Sequence, residues 1–250
     1  MLPYIEQHAI QVGALRIYPF GILVGAGVLT GIWMLRVRAE RRGFDRQVTL
    51  RFCAALILGG MAGSYFLRLL LSAGPIDLQQ GGLSSCGALS GGLACGWLYL
   101  RRLGLGSARI WEYVDLPAFV CPFGWALCRA GCSIAHDHPG IRANNWLSVN
   151  FPGGPRYDLG LLEFLFVLPV IALFWWLDRY PRPGGLYLGL GLILYGPFRF
   201  CLDGLREHEG ARGFLSAERI WGLLATAGGI ILLAKVLRRP APARQRVVVS

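Results

Sequence analysis

The chain has 250 residues, 54% of them hydrophobic and 16% charged, with mean hydropathy +0.49 and a formal net charge of +11. An ordinary soluble domain is about 25% charged, so the composition excludes a solvated nucleic-acid binder despite the basic balance, and it excludes disorder. It describes an integral membrane protein, in which basic residues between apolar segments set the orientation.

Met1–Ile10 carries Glu6 and His8 and has no positive leader region, so it does not read as a cleavable signal. The first apolar stretch reads as a signal anchor. A spanning helix needs about 20 mostly apolar residues. Ile17–Leu35 is uncharged and is followed by Arg36, Arg38, Arg41 and Arg42. Phe52–Leu71 holds one charge, Arg68, and Leu83–Leu100 is uncharged and stops at Arg101 and Arg102. Asp115–Cys132 contains Pro117 and Pro122, which predict a kink. Gly160–Leu177 carries Glu163, Gly184–Leu202 carries Arg199, and Ile220–Leu237 carries Lys235 close enough to its end to snorkel.

This pattern predicts an all-α polytopic membrane protein of about seven transmembrane helices. Loop charge sets the orientation. Sixteen Lys and Arg fall in loops one, three and five and the tail, against six on the opposite side. The N-terminus is therefore expected outside and the C-terminus in the cytoplasm. Residues 1–238 read as a single transmembrane domain and 239–250 as a basic cytoplasmic tail. Seven cysteines are scattered through apolar segments rather than spaced as a disulfide framework.

In that orientation several polar residues share the outer side. Arg68 ends span two, Ser84, Ser85 and Cys86 open span three, and Arg129 to Gly140 leave span four. Glu163 lies one turn inside span five, while Tyr195, Arg199 and Asp203 fall at i, i+4, i+8 on one face of span six. Intramembrane charge costs about 2.5–3.5 kcal/mol per residue on insertion scales and marks functional candidates. Two arginines with carboxylates to orient them suit a lipid phosphate. Arg68 alone reads as a snorkelling side chain, and Tyr18 alone as an interfacial anchor. Glu163 and Asp203 read equally as structural partners of Arg129 and Arg199. Cys128, Cys132 and His136 are also spaced i, i+4, i+8, with His138 nearby. On a continuous helix that face would suit zinc, but the spacing matches no recognised metal motif. An arginine-lined transporter would need polar residues on the cytoplasmic half too, where only Glu112 and Asp115 stand out.

The segment Gly124-Trp-Ala-Leu-Cys-Arg129-Ala-Gly131-Cys132-Ser-Ile-Ala-His136-Asp137-His138-Pro-Gly140 resembles the signature of the bacterial prolipoprotein diacylglyceryl transferases, G-R-x-G-N-F-x-N-x-E-x-x-G. Arg129, Gly131, Asp137 and Gly140 fall at its arginine, following glycine, acid and final glycine. Tyr195-Gly-Pro-Phe-Arg199-Phe-Cys-Leu-Asp203 is similar to the family's Y-G-x-x-R-x-x-x-E. Gly81-Gly-Leu-Ser84-Ser-Cys86-Gly87-Ala-Leu is similar to G-G-x-S-x-H-G-G-L. Leu161-Leu-Glu163 sits where the family has L-Y-E, and Tyr18-Pro-Phe-Gly21 resembles its first-helix motif. Cys86 stands at the family's histidine, Cys132 at its signature asparagine, and Asp137 and Asp203 at its glutamates.

The resemblance implies a multi-pass transferase of the bacterial inner membrane. Its reaction would move a diacylglyceryl group from phosphatidylglycerol to the lipobox cysteine of a prolipoprotein signal peptide, forming a thioether and releasing glycerol phosphate. It implies membrane lipids as partners, no nucleic acid, and no metal or organic cofactor. Arg129 and Arg199 would hold the phosphate and Tyr195 would donate to a phosphate or glyceryl oxygen. Tyr18, Cys132, Asp137, Gly140, Glu163 and Asp203 would form the binding site. Three candidates stand for the thiol's proton acceptor: Cys86 as a thiolate, a loop histidine (His136 or His138), or an arginine-stabilised thiolate with no dedicated base. A loop histidine, His136, is preferred. The alternative is a non-catalytic relative that binds anionic lipid or lipoprotein precursors.

Overall fold

Long uncharged runs dictate helices here, because a backbone inside hydrocarbon must satisfy its hydrogen bonds within one segment. In the computed structural model the described residues are 1–5, 9–12, 15–71, 84–207 and 216–238. Seven helices are described: α1 (Pro19–Arg41), α2 (Arg46–Leu71), α3 (Ser85–Arg102), α4 (Ser107–Ala135), α5 (Leu159–Leu177), α6 (Leu186–Gly204) and α7 (Ala217–Leu237). Among them α1, α2, α4, α5, α6 and α7 are long and apolar enough to cross a membrane. The seventh expected span, α3, has 18 residues that include four polar or charged side chains, Ser85, Ser90 and, at its end, Arg101 and Arg102, together with four glycines. The protein is thus a mostly helical, polytopic membrane protein. Helix α4 continues through both Pro117 and Pro122.

The chain divides into two compact units. One is Arg36–Leu116. Its helices α2 and α3 approach closely because glycines face glycines: a Cβ on Gly63 would lie 2.4 Å from the Gly87 carbonyl oxygen. Close backbone approach through small residues is the usual way apolar helices associate in lipid. Arg109 closes this unit's polar end, stacked 4.1 Å over Phe44 and bonded to Glu112 at 2.8 Å.

The other unit is Met1–Leu35 with Pro117–Ser250. Its core packs Phe119, Val120, Val170, Phe174 and Tyr187, with Phe119, Phe174 and Tyr187 in mutual aromatic contact. Helices α6 and α7 meet through Gly196 and Gly222, where a Cβ on Gly222 would stand 2.6 Å from the Gly196 oxygen. The apolar faces of α1 and α7, with Leu29, Ile32, Trp33, Leu224 and Ile231, remain exposed, as lipid-facing surfaces do.

Short strands accompany the helices. Between α4 and α5, where the charge pattern indicated a plain loop, the chain forms β3 (Pro139–Arg142), β4 (Ser148–Phe151) and β5 (Gly154–Asp158) in an antiparallel sheet of order β3-β5-β4. A short hairpin, β1 (Ile10–Val12) with β2 (Leu15–Ile17), precedes α1. Leu2 pairs in parallel with Val149, adding the first residues to the edge of β4. Each strand has only 3 to 5 residues, too few to show an alternating pattern. The basic tail expected at 239–250 lies outside the described residues.

Candidate active site

The site grows from the last turns of α4, the start of α5 and the end of α6, all in the larger unit. Glu163 is one turn into α5 and only 2% exposed. A buried carboxylate must find partners for both oxygens, and it does. Arg129 Nε lies 2.9 Å from Oε2, and the Tyr195 hydroxyl donates to Oε1 at 2.9 Å. Three helices are tied by that one side chain. The Arg129 guanidinium also lies 5.7 Å from the Trp125 ring centre, within cation–π range. Trp125 in turn meets Tyr195 edge-on at 5.0 Å. Arg129 Nη1 donates to Cys132 Sγ at 3.8 Å, and its side chain keeps some exposure, 18%.

Arg199 is one helical turn beyond Tyr195 on α6 and is buried. The carboxylate that holds it is Glu218, from the first turn of α7, reached by both Nε at 3.2 Å and Nη2 at 2.9 Å. The sequence did not single out Glu218, because an acid in the first turn of a helix has an ordinary reason to be there. Asp203, expected beside Arg199, accepts instead from the Ser216 hydroxyl at 2.6 Å and lies 3.5 Å from Arg219 Nε. It thereby fastens α6 to the N-cap of α7, since Ser216 also caps Arg219 N.

After Ala135 the backbone turns sharply: His136 has φ 52°, in the left-handed region. Its ring is enclosed by Tyr4, stacked at 4.5 Å, and by Phe151 edge-on at 5.4 Å. His136 Nδ1 meets Asp158 Oδ2 at 2.6 Å, and Asp158 caps α5 by accepting Leu161 N at 3.1 Å on Oδ1. His136 Nε2 is buried and makes no hydrogen bond among the described residues. Asp158 was also missed, although an aspartate directly before an apolar run is a recognisable N-cap signal.

Asp137 and His138 follow on the exposed side, with His138 Nε2 3.7 Å from Asp137 Oδ1. The Cys128, Cys132, His136 face does not assemble: Cys128 Sγ packs toward Gly27 of α1, and His136 is committed to Asp158. Gly140 sits where β3 meets the end of α6; Ile141 N donates to Leu205 O at 2.8 Å, and a Cβ on Gly140 would lie 2.6 Å from that oxygen. Arg156 donates to Gly140 O at 3.4 Å and pairs with Glu207. Tyr18 is exposed just before α1. Cys86, in the smaller unit, is buried in the first turn of α3, which Ser84 caps by accepting Gly87 N at 3.2 Å.

A multi-pass bundle with one half-buried guanidinium, Arg129, and one buried guanidinium, Arg199, each held by a carboxylate from another helix, defines a membrane protein equipped to meet an anionic group. Comparison with known proteins narrows that class. The family model for prolipoprotein diacylglyceryl transferase matches residues 7–235. The chain is 31% identical over 256 residues to the phosphatidylglycerol–prolipoprotein diacylglyceryl transferase of Chromohalobacter salexigens, covering 95% of each chain. It is 32% identical to that of Azotobacter vinelandii, covering 96% of this chain and 98% of the relative, and 32% identical to that of Pseudomonas aeruginosa, covering 94% and 91%. The chain belongs to the prolipoprotein diacylglyceryl transferase family.

Proposed function

We propose that this protein transfers the diacylglyceryl group of phosphatidylglycerol to the lipobox cysteine thiol of a prolipoprotein, in the bacterial inner membrane. The observation that carries the reading is the Arg129–Glu163–Tyr195 cluster around the buried Glu163 carboxylate, inside the segment that the family model covers. The bundle is read with seven spans, α3 included, and with the N-terminus outside. Residues 1–238 then form one transferase-like domain, and 239–250 a cytoplasmic tail.

In the reaction the acceptor sulfur attacks the glyceryl carbon that bears the phosphate. A C–S bond forms, the C–O bond breaks, and its electron pair stays on the phosphate oxygen. The phosphodiester monoanion thus becomes glycerol phosphate with a second negative charge. Fixed guanidinium groups stabilise that developing charge more than the intact lipid, which is the condition for lowering a barrier. Arg129 and Arg199 are assigned to the phosphate. Glu163 and Glu218 hold their planes in place, so no reorganisation is needed as charge develops. Tyr195 turns its hydroxyl from Glu163 toward a phosphate or glyceryl oxygen.

The thiol proton goes to His136 Nε2. Asp158 favours the tautomer with hydrogen on Nδ1, leaving Nε2 as the acceptor. Tyr4 covers this ring, so the N-terminal residues shift when the acceptor peptide enters. Tyr18, Cys132, Asp137 and Gly140 border the lipid site, and Asp203 braces α6 against α7.

The test is incubation of the purified protein with labelled phosphatidylglycerol and a lipobox peptide. Thioether-linked diacylglyceryl peptide with release of glycerol phosphate is the expected product. Lipid binding without product identifies a non-catalytic relative instead.

A further inference from the structure

The turn after α4 brings together three side chains that were not grouped by their spacing. His136, at φ 52°, reverses the chain directly after the last helical residue, Ala135. Asp137 and His138 are thereby carried back beside Cys132. The Cys132 thiol, an Asp137 carboxylate oxygen and a His138 ring nitrogen all lie within 4.8 Å of one another. We propose that Cys132, Asp137 and His138 form a binding site for a borderline-soft divalent cation, Zn2+ in the first instance.

Three physical arguments support the assignment. The first is the donor set: thiolate, imidazole and carboxylate are the three side-chain ligands that zinc takes, and a three-residue site leaves a fourth position for water. Calcium and magnesium, which take oxygen ligands, have no use for the thiol. The second is spacing. With Zn–S of about 2.3 Å and Zn–N or Zn–O of about 2.0–2.2 Å, tetrahedral ligand atoms stand about 3.3–3.7 Å apart. The His138 and Asp137 atoms are already 3.7 Å apart. The remaining closure falls on two partly exposed side chains, 42% and 39% exposed, that have room to turn. Cys132 by contrast is buried, beside Gly160, and supplies the fixed point.

The third argument is charge. Arg129, whose Nη1 touches Cys132 Sγ at 3.8 Å, is the nearby cation that would oppose a metal. Its charge is already matched by Glu163 at 2.9 Å. Cys132 as thiolate and Asp137 as carboxylate then balance the two positive charges of the ion, with the thiol proton released to solvent on binding. This site does not depend on the transfer reaction.

The experiment uses the full chain, purified in detergent, stripped with chelator and titrated with Co2+. Expected is a near-ultraviolet thiolate-to-cobalt charge-transfer band with visible tetrahedral bands, saturating at one ion per chain and abolished by equimolar Zn2+. Cys132→Ser and His138→Ala abolish the band, and Cys128→Ser keeps it. Should Cys132→Ser fail to fold, Asp137→Asn and His138→Ala, both at exposed positions, carry the test. A folded parent protein with no such band overturns the site. So does a band that survives His138→Ala, or one that disappears in Cys128→Ser.

Discussion

Arg129 Nε and Glu163 Oε2 lie 2.9 Å apart, and the two ends of this pair are unequally buried, the guanidinium side chain 18% exposed and the carboxylate 2%. Removing one partner of a buried pair is costly mainly because of the charge left behind. Glu163 keeps one neutral donor, Tyr195, when Arg129 is lost. Arg129 keeps access to solvent when Glu163 is lost. Arg129→Ala is therefore expected to destabilise more than Glu163→Ala, by about 3–5 kcal/mol at most. The double variant recovers part of that loss. Thermal unfolding in detergent over the complete cycle measures it. Transfer activity is expected to vanish in Arg129→Ala whatever the stability.

Arg199 presents two nitrogens to one carboxylate oxygen of Glu218. A lysine has no planar fork with which to repeat that geometry. Arg199→Lys is expected to lose at least about tenfold in transfer rate, equivalent to about 1.4 kcal/mol, and Arg199→Ala to lose it entirely. Glu218→Gln retains a hydrogen-bond acceptor and is expected to be milder than either. Steady-state transfer to a lipobox peptide, with insertion checked by membrane fractionation, separates the three.

Cys86 is buried on α3 and replaces the histidine expected by resemblance to the family. With the proton acceptor assigned to His136, Cys86→Ser is expected to keep transfer within about threefold of the parent, a change too small for loss of a general base, which contributes typically 10²–10⁴-fold. A loss of a hundredfold or more would instead assign the proton to this sulfur.

The surroundings of Gly140 show why only glycine fits there. A Cβ would stand 2.6 Å from Leu205 O and 3.0 Å from Leu159 Cδ2. Backbone cannot give way as a side chain does. Gly140→Ala is expected to cost about 1–3 kcal/mol through overpacking, seen as a lower unfolding midpoint. Loss of activity without loss of stability would point to a direct lipid contact.

Six of the spans were legible because apolar runs of helical length have one physical solution in lipid. Arg129, Glu163 and Arg199 were legible for a related reason: a charge inside such a run is costly enough to need a purpose. Partners were less so. Glu218 looks like any acid at a helix start, and its contact with Arg199 depends on how α6 and α7 cross, which no local pattern encodes. The sheet between α4 and α5 was invisible because its strands are short and mix Arg, Asn and Asp with apolar residues. Pro152-Gly153, the turn between β4 and β5, carried a local hint. Cys128, Cys132 and His136 would share one face only on a helix that continued through His136. The helix in fact ends at Ala135, and the reversal at His136 regroups Cys132 with Asp137 and His138.

That same reversal sets His136 against Asp158, which has two tasks: it caps α5 and it holds Nδ1 of the imidazole. The tasks separate under substitution. Asparagine caps a helix about as well as aspartate, so Asp158→Asn preserves the bond from Leu161 N and changes stability little. What it removes is the negative charge that stabilises a protonated imidazole. If His136 takes the thiol proton, the imidazolium formed in the transition state loses its partner, and turnover falls while binding of phosphatidylglycerol is untouched. Asp158→Ala removes both tasks and is expected to lose the cap as well, about 1 kcal/mol. Turnover number and KM for the lipid, measured beside unfolding midpoints, distinguish the cases. An Asp158→Asn protein with unchanged turnover would leave His136 a structural residue, packed beneath Tyr4.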